Sequence, residues 1–133
     1  MPASNRLFVL GGLDDNLANK CHEIQLQGRE YHLVERANST HKYGFHSICY
    51  LDSGSFIVTG SRYEGHETSC EQYNMFGNYW MQLNTLNTPR CRHSSCSFNR
   101  EKVFVFAGWS NRTRTNSIEM LDMTSETKLW SEI

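Results

Sequence analysis

A strand–turn–strand pattern that returns at intervals of nearly fifty residues constrains this chain more than any other feature. From Arg92 to Gly108 the sequence reads as strand, tight turn and strand, closed by the small pair Ala107-Gly108. One interval upstream, His46 to Leu51 leads through Asp52-Ser-Gly-Ser to Phe56-Ile-Val-Thr-Gly60. Arg6 to Gly12 carries the second half of the same pattern. Other landmarks keep step. There are 47 residues from His46 to His93, from Cys49 to Cys96 and from Gly60 to Ala107. Glu23, Glu71 and Glu119 recur every 48, and Trp80 precedes Trp130 by 50. Such a chain repeats one supersecondary unit, and each unit buries its apolar face on its neighbour.

The second unit predicts four strands. The first covers His46 to Leu51, with Asp52-Ser-Gly-Ser as a hairpin turn. Phe56 to Thr59 is a continuous run, as in a strand covered on both faces. After the polar loop Arg62 to Glu67, Ser69 to Tyr73 supplies a third strand; Asn78 to Gln82 supplies a fourth, past a turn at Gly77. The third unit repeats this with Val103 to Phe106, a loop from Trp109 to Asn116, Ile118 to Leu121, and Lys128 to Trp130. Helical periodicity is absent. Small residues at strand ends allow close backbone approach, and Tyr73, Trp80 and Trp130 are expected to fill the space between sheets. Glu71 and Glu119, on inner strands, require partners, for which Arg92 or another basic residue at a blade start is a candidate.

A histidine strand, an apolar strand closed by two small residues, a Glu on the third strand and a Trp on the fourth together resemble kelch repeats. The resemblance covers residues 6–130. The family's double glycine stands at Gly11-Gly12 but is Gly60-Ser61 and Ala107-Gly108 in the later units. In the first unit Tyr31 takes the tryptophan position and Gln25 the tyrosine position. The resemblance implies an all-β fold of kelch-type β-propeller blades, each a four-stranded antiparallel sheet. One repeat region is expected, with blades at 1–40 (lacking its first strand), 41–88 and 89–133. Closed propellers take about four to eight blades, so the ring is incomplete. The chain is therefore expected to be a segment of a longer protein, the favoured reading, or to self-associate or find its missing blades in other chains.

Net charge is −1, from 13 basic and 14 acidic residues spread along the chain. Nucleic acid or an anionic membrane would demand a concentrated basic face, so neither is expected as a partner. Leu7 to Leu10 is too short for a signal or membrane-spanning segment and runs into Gly-Gly-Leu-Asp-Asp. The five cysteines, at 21, 49, 70, 91 and 96, form no CxxC pair and read as reduced packing residues of a cytoplasmic protein. With no signal segment read, the sequons at Asn38 and Asn111 are expected to be chance matches.

Catalytic signatures are missing: there is no G-x-S-x-G, P-loop, G-x-G-x-x-G or H-E-x-x-H. Asp14 and Asp15 read as solvated loop residues. His46 and His93, at equivalent positions, read as hydrogen-bonding structural groups rather than metal ligands. No catalytic residue, metal site or cofactor is expected. What varies between units is the loop after the second strand: 13–19, 62–67 and 109–116. The resemblance implies that these loops gather on one face and recognise a protein partner. Arg62, Tyr63, Trp109, Arg112 and Arg114 are the candidate binding residues, being of types enriched at interface hot spots; Trp109 equally suits a blade cap. The expected function is a non-enzymatic protein–protein interaction module, a scaffold or adaptor. The alternative is a segment of a propeller enzyme of the copper oxidase, sialidase or sugar isomerase type, which needs a metal or acidic cluster at the ring centre.

Overall fold

The computed structural model describes residues 6–52 and 54–133, and no helix occurs among them. The first sheet joins β1 (Leu7–Leu10), β2 (Cys21–Gln27) and β3 (Glu30–Arg36). The second joins β4 (Ser47–Asp52), β5 (Ser55–Thr59), β6 (Cys70–Asn74) and β7 (Tyr79–Gln82) in chain order. The third joins β8 (Ser94–Phe98), β9 (Lys102–Phe106), β12 (Ile118–Asp122) and β13 (Trp130–Glu132). Between β9 and β12 runs a separate hairpin, β10 (Trp109–Ser110) and β11 (Thr113–Arg114). All pairings are antiparallel. The chain is all-β, with no closed barrel among the described residues.

Most strands lie within a residue or two of their predicted places; the loop expected over Trp109 to Asn116 does not stay a loop. It folds back as β10 and β11, with Asn111 and Arg112 at φ 49 and 66. Two consecutive left-handed residues make the turn that matches strand twist, usually signalled by Asn-Gly. With Arg in the second place, the sequence carries no such signal.

The sheets stack face to face, and the second is covered on both sides. Successive side chains of β5 point to opposite faces. Phe56 and Val58, with Tyr73, meet Leu10, Cys21 and Phe8 of the first sheet in one core. Ile57, with Cys49, Leu51 and Cys70, meets Val103, Val105, Leu121 and Trp130 of the third in the other. All five residues of β5 are buried in consequence. On the face turned toward the preceding sheet, cross-strand rows of large side chains form: Phe56–Tyr73–Trp80 in the second sheet and Val103–Leu121–Trp130 in the third.

The same pairing corrects two assignments in the first unit. Its equivalent row is Leu7–Ile24–Leu33, so Leu33 takes the tryptophan position, while Tyr31 pairs with Leu26 and is exposed. Glu23 is not the counterpart of Glu71 and Glu119. Those two lie opposite Val58 and Val105. In the first sheet it is His22 that lies opposite Val9, and Glu23 faces Phe8. One residue of drift along a strand turns a side chain to the other face of the sheet. Glu23 accordingly meets the second sheet. It is held by Arg6, at 2.7 Å and 2.8 Å, and by Arg36, which hold its carboxyl at about 2.

Glu71 and Glu119 fix the loops that lead into the second and third sheets. Glu71 accepts from the backbone N–H groups of Thr40 (2.9 Å) and His41 (3.2 Å) and from the Tyr43 hydroxyl (2.6 Å). Glu119 accepts from the N–H groups of Asn87 (2.6 Å) and Thr88 (3.2 Å) and from the Arg90 guanidinium (2.8 Å). Tyr43 and Arg90 thus do one job in successive units. Arg90, the other basic residue at the start of the third blade, is the buried partner of Glu119; Arg92 is exposed. Gly11 and Gly60 lie under these two loops at φ 67, and a Cβ on either would collide with the carbonyl of Tyr43 or Arg90. Ala107 takes the same place in the third sheet at φ 56 but is exposed. Only steric cost within its own backbone remains there. Ala107→Gly is expected to raise stability by about 0.5–1 kcal/mol, read as a higher urea midpoint at unchanged slope; a lower midpoint would refute the strain.

Candidate functional site

Four backbone segments converge where the second and third sheets meet: the loops leading into β4 and β8, the loop after β5, and the start of β10. They are stitched together by main-chain hydrogen bonds. Arg62 N–H donates to Gly44 O (2.9 Å), Arg92 N–H to Phe45 O (2.7 Å) and Trp109 N–H to Cys91 O (2.8 Å). The Ser61 hydroxyl ties the corner by donating to Lys42 O (2.7 Å). Between these segments opens a cleft of about 620 Å³ whose walls include Phe45, Arg62, Arg92, Trp109 and Arg112, with Glu64 and Glu67 on one side.

The walls are built of guanidiniums laid on rings. Arg92 lies over Phe45 at 4.4 Å and within 5.9 Å of Trp109. Arg62 reaches Phe45 at 5.8 Å and Tyr63 at 6.0 Å, and Arg114 reaches Trp109 at 6.0 Å. Stacking holds a guanidinium by its face and leaves its N–H edge free to donate. Among the described residues no carboxylate lies within 4.0 Å of Arg62, Arg92, Arg112 or Arg114. Backbone strain gathers here too. Phe45, Arg92, Asn111 and Arg112 all line the cleft at φ between 49 and 66. Left-handed geometry is costly for bulky residues and is held where the surroundings impose it.

Of the five residues expected from sequence, Arg62, Trp109 and Arg112 line this one cleft. Tyr63 and Arg114 stack at its margins, Tyr63 anchored by its hydroxyl to Gly12 O at 2.9 Å. Sequence reasoning missed Phe45 and Arg92. They stand 47 residues apart at one repeat position, just before the histidine. That spacing was legible; their left-handed backbone, which turns both side chains into the cleft, was not.

Beneath the cleft runs a buried polar layer. Arg90 and Glu119 are fully buried, and Arg90 also donates to Ala107 O (3.0 Å), Ser117 O (3.1 Å) and the Ser117 hydroxyl (2.7 Å). His93 Nε2 meets the Thr59 hydroxyl at 2.8 Å. Burial lowers His46 and His93 to about 4, so both are neutral at pH 7. Cys91, in the cleft wall, is pushed up by burial and stays a thiol. Cys96, expected to pack like Cys49, is exposed instead, on the face of the third sheet turned away from the second. Asp14 and Asp15 are exposed, Asp15 pairing with Lys42 at 2.9 Å. Among the described residues no group of three His, Cys, Asp or Glu side chains is placed to hold a metal ion.

Residues 89–133, which contain the third sheet and half of the cleft wall, match the family model of the kelch motif. No curated protein matches the chain.

The histidines make stability depend on pH in a definite direction. An unfolded histidine takes up its proton near 6.5, whereas folded His93 resists until about 4. Stability is therefore complete above pH 6.5 and falls as pH drops toward 4, by about 3 kcal/mol for His93. Glu23, lowered from 4.5 to about 2, adds a smaller loss of its own that sets in only at about pH 5 and continues below the window, so the fall between pH 6.5 and 5 belongs to the histidines. Urea midpoints at pH 7.5, 5.5 and 4.5 check this: a flat profile would contradict it, and His93→Gln should flatten the slope.

Proposed function

We propose that this kelch-repeat chain is a non-enzymatic protein-interaction module that holds an acidic segment of a partner protein in the arginine–aromatic cleft. One observation carries the reading: four arginines stand around one opening, three of them (Arg62, Arg92 and Arg114) backed by rings, and all four without carboxylate partners among the described residues. Guanidinium edges present paired donors that match a carboxylate, and such charge-assisted bonds contribute roughly 1.5–3 kcal/mol each. The rings bind the methylene stems of the same segment. Glu64 and Glu67 on one wall repel a segment entered out of register, which gives the cleft a direction. They also disfavour a uniform polyanion, as does the chain's net charge of −1. Cys91, kept as a thiol, is a wall residue rather than a nucleophile.

Panning a random peptide display library on the whole chain tests this. Selected peptides are expected to be rich in Asp and Glu, and their affinity to fall with added salt. Arg92→Ala and Arg62→Ala should each weaken a selected peptide about tenfold or more, and Arg112→Ala with Arg114→Ala likewise, at nearly unchanged melting temperature. Selection of uncharged peptides, or indifference to Arg92→Ala, would overturn the proposal.

A further inference from the structure

The lead-in loop of the second sheet carries a contact that its counterpart in the third cannot make. His41 lies in the loop before β4, and His66 in the loop after β5. Their Nδ1 atoms stand 3.1 Å apart, and the Lys42 N–H donates to the same His66 nitrogen at 3.3 Å. In the third unit Thr88 takes the place of His41, its N–H meeting Glu119 as that of His41 meets Glu71. The His66 ring cannot move apart from its loop. Its backbone N–H donates to Tyr63 O at 3.0 Å, and its carbonyl accepts from Ser69 N–H (3.1 Å) and the Ser69 hydroxyl (2.6 Å). That loop supplies Arg62, Glu64 and Glu67 to the cleft. It also holds the far wall, because Glu67 O accepts the Arg90 N–H at 3.1 Å, two residues before Arg92.

Counting protons shows what breaks this contact. An N–H aimed at His66 Nδ1 requires a lone pair there, so His66 is neutral with its proton on Nε2. His41 then donates from Nδ1, whether its own ring is neutral or charged. With both rings protonated no lone pair remains between them, and two like charges face each other. The charged groups around the pair are Lys42, paired with Asp15 at 2.9 Å, Glu67 on the same loop, and Glu71 behind the His41 backbone. Burial, then His41 and Lys42, lower His66 below the ordinary 6.5, against the opposing pull of Glu67 and Asp15. The pair therefore stays closed at neutral pH. We infer that the His41–His66 contact is an acid-labile clasp: when both rings are protonated, the loop after β5 parts from the lead-in loop and the cleft releases the acidic segment it holds. The release step rests on the cleft being the binding site proposed above; the parting of the loops does not.

The sign of the effect separates the clasp from simple charge attraction. Positive charge added to His41 and His66 with the loops in place would strengthen an acidic peptide's binding, since carboxylates with ordinary values near about 4 stay ionised at pH 5.5. A parted loop weakens it. The probe is an Asp- and Glu-rich peptide selected on the whole chain at pH 7.5, titrated at pH 7.5 and 5.5 at one ionic strength. Its affinity is expected to fall about tenfold at the lower pH, with near-ultraviolet circular dichroism unchanged. His66→Asn sets an amide oxygen near the site of Nδ1, where it accepts the Lys42 N–H and takes up no proton. This variant should bind as tightly as the unaltered chain at pH 7.5 and keep that affinity at pH 5.5. Hydrogen exchange of the Lys42 amide, corrected for its intrinsic rate, reads the clasp without peptide. Protection should be lost at pH 5.5 in the unaltered chain and kept in His66→Asn. An affinity that holds or rises at pH 5.5, or a Lys42 amide equally protected at both, defeats the inference. Should no acidic peptide bind at either pH, the proposed function fails, and the Lys42 amide still decides whether the loops part.

Discussion

A buried carboxylate at the centre of a sheet governs how this chain is put together. Glu71 and Glu119 are fully enclosed, where an unpaired charge would be prohibitively costly. Each is compensated mainly by backbone N–H groups of the loop arriving from the preceding sheet, so the loop must lie in one place. Tyr43 completes the cage in one unit and Arg90 in the next. Burial pushes the Tyr43 hydroxyl up, which keeps it a donor beside Glu71. The phenol leaves a net negative charge in its layer, whereas Arg90 neutralises the charge in its own. Once the loops are fixed, Phe45 and Arg92 follow two residues beyond Tyr43 and Arg90, and their left-handed backbone turns them into the cleft. The cleft is thus a downstream consequence of satisfying a carboxylate.

Close approach is the second condition. The lead-in loops can reach the carboxylates only by crossing the ends of β1 and β5, and they cross at Gly11 and Gly60 with no room for a Cβ. The small residues at strand ends and the glutamates on the third strands are therefore two halves of one contact. Where no loop crosses among the described residues, at Ala107, a side chain is tolerated and the backbone keeps the shape.

The alternation of strands explains the rest of the packing. Because β5 is covered on both faces, its residues divide between two cores by parity alone, Phe56 and Val58 to one and Ile57 to the other. The first sheet shows how narrowly that parity is set. Glu23 kept the 48-residue period yet lies on the wrong face, since its strand pairs one residue out of step with the others. Spacing along the chain could not reveal this. Tyr31 failed as the tryptophan substitute for the same reason: the row, not the residue class, identifies Leu33.

The sequence alone determined the unit, its strands and the all-β class, because hydrophobic runs, turn residues and a repeat interval are local or periodic properties. It also supplied the chemistry of the candidate site, since arginines and aromatic residues cluster in the variable loops whatever their geometry. Only the tertiary structure decided that Arg62, Trp109 and Arg112 share one opening, that Phe45 and Arg92 complete it, and that Arg90 rather than Arg92 is buried. Those outcomes depend on strand register and on the sign of φ at single residues. Both are chosen by which packing satisfies every buried polar group at once, a condition that exists only when the sheets have met.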